Sequence, residues 1–249
     1  MTKKMVFLLF VITCIGVLVF AENRISKSSG LPQQNNEVLV NNKTTAFQVI
    51  SEVRNGDSIR LVLKNNYSKA ITAFRVSGNS ESQGVDVDFT SEGTFIAPGE
   101  TYNYREAIGN LFPYLGTSSG QLNIKILAVV FDDGSGDGDA TVVKHIKSRR
   151  RGVKIQLARI LPLLQQIIDS PDSNTQAALE RLKMQILALP THPQNGESPD
   201  IMGGLIHGKN YILGEIQRLE GIERETGNIN FRNELIKIKE RYEREAARL

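Results

Sequence analysis

Apolar residues in this chain recur at every second position as far as Phe131, and at every third or fourth position after Ala140. A period of two lines one face of a strand, and a period near 3.6 lines one stripe of a helix. The two patterns cannot share one element type, so the chain must be strand-built first and helix-built second. The switch falls inside Phe131 to Val143, "FDDGSGDGDATVV", where four aspartates stand within eight residues among glycines.

The strand-like part begins near Ala46. Phe47, Val49 and Val53 alternate with polar residues, "RNGD" turns the chain, and Ile59, Leu61 and Leu63 alternate again. "NNYSK" is a second turn, followed by the β-branched and aromatic stretch Ala70 to Ser77. Val85, Val87 and Phe89 alternate with Asp86 and Asp88, as in a half-buried strand. Thr94 to Ala97, Thr101 to Glu106, and the long alternation from Leu122 to Val130 complete seven short strands. Turn residues separate them, and the pattern predicts an antiparallel β-sandwich over 44–138.

The helical part, 139–249, predicts a hairpin or bundle. Val142, Ile146, Val153, Leu157, Ile160, Leu164 and Ile167 form one stripe, with Arg150 filling a turn and Pro162 expected to kink it. Further helices fit Asn174 to Leu189, Asp200 to Glu225, and Phe231 onward. In the last, Phe231, Leu235, Ile238, Tyr242 and Leu249 form the stripe. The fold class is therefore an all-β part followed by an all-α part.

The N-terminus reads "MTKKMVFLLFVITCIGVLVFAENR". Lys3 and Lys4 precede an apolar run that ends at Ala21, the pattern of a secretory signal peptide over 1–21. The same run would serve as an uncleaved anchor, the one route to a membrane in this chain. Residues 22–43 are polar and read as a flexible linker. Cys14 is the single cysteine, so a mature chain forms no internal disulfide and is held by burial alone. These features predict an extracytoplasmic protein, periplasmic, secreted or anchored. Residues 38–144 carry 9 basic against 12 acidic side chains, and 145–249 carry 17 against 13. Neither imbalance is that of a nucleic-acid-binding protein.

Several motifs resemble chemistry. "GTSSG" (116–120) matches a nucleophile elbow with Ser118, but a strand follows it where the elbow needs a helix, so it reads as a loop. "GGLIHGKN" (203–210) approaches a phosphate-binding loop, but Asn210 stands where the Mg²⁺-binding hydroxyl belongs and no strand precedes it. A glycine-rich helix face that permits close packing fits better. His145, His192 and His207 share no metal-ligand spacing. "KSRRRGVK" places Lys147, Arg149, Arg150, Arg151 and Lys154 together, either as a patch for an anionic partner or as a solvated helix face. In the aspartate loop, Asp133, Ser135 and Asp137 fit a calcium register with Gly138 at its turn, and Asp139 adds a further oxygen. Lys144 falls where the bidentate glutamate belongs. The competing reading is a strand-to-helix turn with Asp139 as N-cap.

Val129 to Asp139, Arg149 to Leu161 and Phe231 to Glu243 together resemble a group of exported bacterial proteins with no assigned activity. The strand half is similar in layout to immunoglobulin-like or fibronectin type III-like modules, with "IAPGE" (96–100) as an inter-strand corner, although the buried tryptophan and paired cysteines of immunoglobulin domains are absent. The resemblance implies export and architecture. The functional expectation is a non-enzymatic envelope or secreted interaction protein, whose partner is a protein or envelope component. The alternatives are an exported hydrolase with a site between the halves, and a Ca²⁺-stabilised binding module.

Overall fold

A computed structural model of the chain describes residues 38–78, 84–111, 122–194 and 196–249. The signal segment, most of the 22–43 linker and the 116–120 motif with Ser118 lie outside the described residues. Residues Glu37–Leu249 form one compact unit.

Eight strands make two sheets among the described residues. In the first, the order is β1 (Val38–Asn42), β7 (Leu122–Phe131), β4 (Ile71–Ser77), β5 (Gly84–Asp88), with the short β8 (Gly136–Gly138) also paired to β7. The second is β2 (Phe47–Asn55), β3 (Ser58–Asn65), β6 (Thr101–Ala107). A single helical turn, α1 (Ile108–Leu111), follows β6. The two sheets share one core centred on Phe74, whose ring meets Phe47 at 5.2 Å and Phe89, Tyr102 and Tyr104 at 5.8–6.0 Å.

This departs from the expected seven antiparallel strands in four places. β1 falls inside the span read as linker, with Val38 buried and Val40 packed against the core while Leu39 and Asn41 are exposed. It pairs β7 in parallel, Val38 opposite Leu122, since the chain leaves the first sheet directly after β1. Thr94 to Ala97 contributes only a single bridge, Ile71 to Ile96. The aspartate loop itself supplies β8.

The helical half comprises α2 (Ala140–Ile168), α3 (Gln176–Ala188), a 3₁₀ turn (Pro199–Ile201), α4 (Met202–Thr226) and α5 (Phe231–Arg248). Among the described residues, no helix is long and apolar enough to cross a membrane. α2 continues through Pro162 and spans about 43 Å. Its first turns pack Ile146, Val142 and Val143 on Ala73 and Val130, the outer face of the first sheet. Its remainder joins a bundle core of Val153, Leu157, Ile160 and Leu164 with Leu182, Ile216, Leu235 and Tyr242. β7 is thus covered on both faces, which explains why Ile126 to Phe131 is an unbroken apolar run rather than an alternation.

α2 and α4 meet backbone to backbone. A Cβ on Gly152 would lie 2.2 Å from the Ile201 carbonyl oxygen, and one on Gly204 would lie 2.0 Å from that of Arg149. The glycines near the motif at 203–210 therefore serve helix contact. Lys209 donates to the Leu187 and Leu189 carbonyls at the C-terminus of α3.

Candidate functional site

One turn before the glycine contact, α2 turns its arginines toward the strand half. On β5 the alternation puts Val85 and Val87 into the sandwich, and it puts Asp86 and Asp88 outward, roughly 7 Å apart on one face. The Arg150 guanidinium forks onto Asp88 with two 2.9 Å bonds. It also donates to the Thr72 hydroxyl at 3.0 Å and the Thr72 carbonyl at 2.9 Å. Arg149 donates to Asp86 at 3.0 Å, and Arg75, opposite Asp86 in register, holds its other oxygen at 3.2 Å. The Arg150 and Asp86 side chains are only 11% and 8% exposed. Burial alone would raise the Asp88 carboxyl, but Arg150 and Thr90 overcome it and leave it below its ordinary value.

The run Lys147 to Lys154 therefore divides. Arg149 and Arg150 are spent inside the molecule, which neither an anion-binding patch nor a solvated face anticipated. Lys147, Arg151 and Lys154 remain exposed.

Behind this joint lies a cavity of about 100 Å³ bordered by Asp86, Asp88, Arg149, His207, Tyr211 and Glu245. It adjoins an open groove of about 440 Å³, and the two share Ser91, Tyr211 and Glu245. Glu92, Asn210, Gly214, Glu215, Arg241 and Tyr242 line the rest of the groove. His207 lies 3.0 Å from Arg149 and 4.1 Å, ring to ring, from Tyr211. Burial and the neighbouring Arg149 lower its pKa, so the ring is neutral and accepts from the arginine.

Glu245 is the exception in this cluster. It is 4% exposed, and its carboxylate has no hydrogen bond or ion pair among the described residues. Burial raises its pKa first and Asp88 raises it further, while Arg241 and Arg248 pull the other way. Glu215, by contrast, is bound by Arg241 at 2.8 Å and Arg218 at 3.0 Å, and it stays below its ordinary value despite burial. Burial pushes the Tyr242 hydroxyl up to about 12, so the ring is a neutral phenol beneath Arg241, whose guanidinium lies 4.8 Å from its centroid.

Glu245 was missed in the sequence, although a signal was present. The α5 stripe runs Phe231, Leu235, Ile238, Tyr242, Leu249, and its gap of seven is filled at three-four spacing by Glu245. A carboxylate at an apolar stripe position marks a place where the core is not purely apolar. Arg150 does the same in the α2 stripe.

The aspartate loop has other duties. Asp139 caps α2, accepting from Thr141 and Val142 at 2.8 and 3.2 Å, as expected. Asp137 turns to the β1–β2 connection and accepts from Thr45 N at 2.6 Å and Ala46 N at 3.0 Å. Asp133 pairs with Lys69 at 2.6 Å, and that ammonium also reaches Ser135 at 3.0 Å. The Lys69 bond, then those from Ser135, hold the Asp133 carboxyl below its ordinary range. Gly138, at φ +95°, brings the loop so close to β7 that a Cβ would meet the Leu127 carbonyl oxygen at 2.4 Å. Among the described residues, no group of three or more His, Cys, Asp or Glu side chains is placed to hold a metal ion.

No family model, curated protein or solved structure matches the chain.

Proposed function

We propose that this is an exported, non-enzymatic interaction protein of the envelope or secreted fraction, and that the groove between the turn after β5 (Ser91, Glu92) and helices α4 and α5 is its binding face. One observation carries the reading. Asp86, Asp88, Arg149 and Arg150 hold the two halves together, whereas Glu245 and Tyr211 border open space without such a task. Tight sites place a few polar groups in a concave, partly aromatic surface, and this groove fits that description. The N-terminal signal pattern supports export.

A hydrolase reading has one observation in its favour. Glu245 is raised and Asp88 lowered within one cavity, the environment-driven split that marks acid and base pairs. Against it, both Asp88 oxygens are occupied by Arg150, so that carboxylate is committed to structure.

Gly214 offers the test, because a Cβ there meets nothing within 4 Å and the residue faces the groove. Affinity capture from an envelope fraction with the mature chain and with Gly214→Trp compares open and filled grooves. A partner retained by the first and lost by the second is expected, and equal capture by both would overturn the groove. Turnover in a broad hydrolase screen that disappears in Glu245→Gln would replace this reading with the enzymatic one.

A further inference from the structure

We infer that the partner presents a lysine, whose ammonium seats against the Glu245 carboxylate at the inner end of the groove while its alkyl stem lies along Tyr211. The inference rests on the groove being the binding face, and it names the chemistry of what binds there.

The argument begins with charge. Five carboxylates (Asp86, Asp88, Glu92, Glu215 and Glu245) and three arginines (Arg149, Arg150 and Arg241) line the cavity and groove. The arginines are bound to Asp86, Asp88 and Glu215. What remains is acidic: Glu92 at the mouth and Glu245 within. The Glu245 oxygens face this space without a protein donor among the described residues, and a charged donor that reaches them gains a charge-assisted bond.

The cavity, about 100 Å³, has room for a hydrated ammonium beside Glu245, and a lysine head is a compact point charge that needs no second acceptor. The groove outside is long enough to take an aliphatic stem, and lysine buries its stem along apolar surface while its head seeks charge. Tyr211 provides that surface and an aromatic edge beside the cation, and Arg241 on Tyr242 shows that this wall already holds a cation over an aromatic ring. The donor must come from outside, because Arg241 is engaged with Glu215 and Arg248 is directed to the Thr90 carbonyl.

Hexalysine, hexaglutamate and hexaserine serve as probes, each titrated into the mature chain by calorimetry with amide shift mapping. The expected result is salt-sensitive binding of hexalysine with shifts around Glu245 and Tyr211. It should weaken about ten-fold in Glu245→Gln, the loss of one charged hydrogen bond. It should also be lost in Gly214→Trp and be unchanged in Glu225→Gln, which removes the same charge from the surface of α4 away from the groove. Thermal unfolding confirms that the variants are folded. Hexalysine that binds Glu245→Gln as well as the parent, or fails to bind the parent, overturns the inference. Groove shifts with hexaglutamate or hexaserine alone would overturn the lysine and leave the groove standing. No groove shifts with any of the three would overturn both.

Discussion

Helix α2 is held on two sides by opposite means. Toward β5 the contact is made by long charged side chains, with Arg149 and Arg150 reaching Asp86 and Asp88. Toward α4, within one turn, Gly152 and Gly204 carry no side chains and bring two backbones together. The polar joint depends on pairing and therefore on pH. The glycine joint depends on absence of volume and is indifferent to charge. A helix that must serve both a sheet and a bundle needs one contact with reach and one with none.

The largest effect should come from adding volume to the glycine joint. Gly152→Ala forces its Cβ against the Ile201 carbonyl, and the helices must part. The cost should be about 3 kcal/mol, at the upper end for overpacking, despite the better helix propensity of alanine. Thermal unfolding followed by circular dichroism should show a drop of roughly 6–12 °C for a chain this size. Gly214→Ala, with nothing within 4 Å of the new methyl, should raise stability slightly. Equal behaviour of the two variants would remove the distinction between packed and open glycines.

Arg150→Met comes next. It removes the guanidinium from Asp88 and Thr72, leaving Asp88 only its Thr90 bonds, while keeping the apolar stem, at a cost on the order of 2–3 kcal/mol. The sign with pH follows from the lowered Asp88 carboxyl. Its stabilisation is present above the ordinary value of 3.8 and is lost as pH falls through the folded value below it. Denaturant titrations in acid should show the parent losing this contribution below about pH 4, and Arg150→Met should lack that loss.

Glu245→Gln should act in the opposite direction. The raised carboxyl is a cost fully present above its folded pKa and relieved as pH falls toward the ordinary value of 4.5. The amide removes the cost, so the variant should be more stable than the parent by about 1 kcal/mol near neutral pH, with the gap closing in acid. A variant less stable than the parent at pH 7 would mean that Glu245 has a stabilising partner.

The smallest effect belongs to the aspartate loop. Asp133 is exposed and paired with Lys69, and Asp133→Asn should change stability by no more than about 0.5 kcal/mol. Because Asp137 and Asp139 bind backbone amides, melting temperatures in calcium and in chelator should agree. A rise in calcium that Asp137→Ala abolishes would restore the metal reading.

The sequence alone determined that strands come before helices, because hydrophobic period is a local property and needs no partner. It also determined the position of the α2 start, because Asp139 caps its own helix within three residues. Arg150 and Glu245 were visible as polar residues at apolar stripe positions, but their meaning was not. A charge in a stripe can face solvent, a partner or another charge, and only the fold says which. The tertiary structure decided that Asp86 and Asp88, read as the wet side of a strand, face the arginines of a helix more than sixty residues later. It decided that β1 joins the sheet, since a short strand with one buried valine gains its pairing from β7 and not from its own pattern. It also decided that Asp86, Asp88 and Glu215 found guanidiniums among the described residues while Glu245 did not, because pairing depends on which surfaces meet across the seam, and no local period records that.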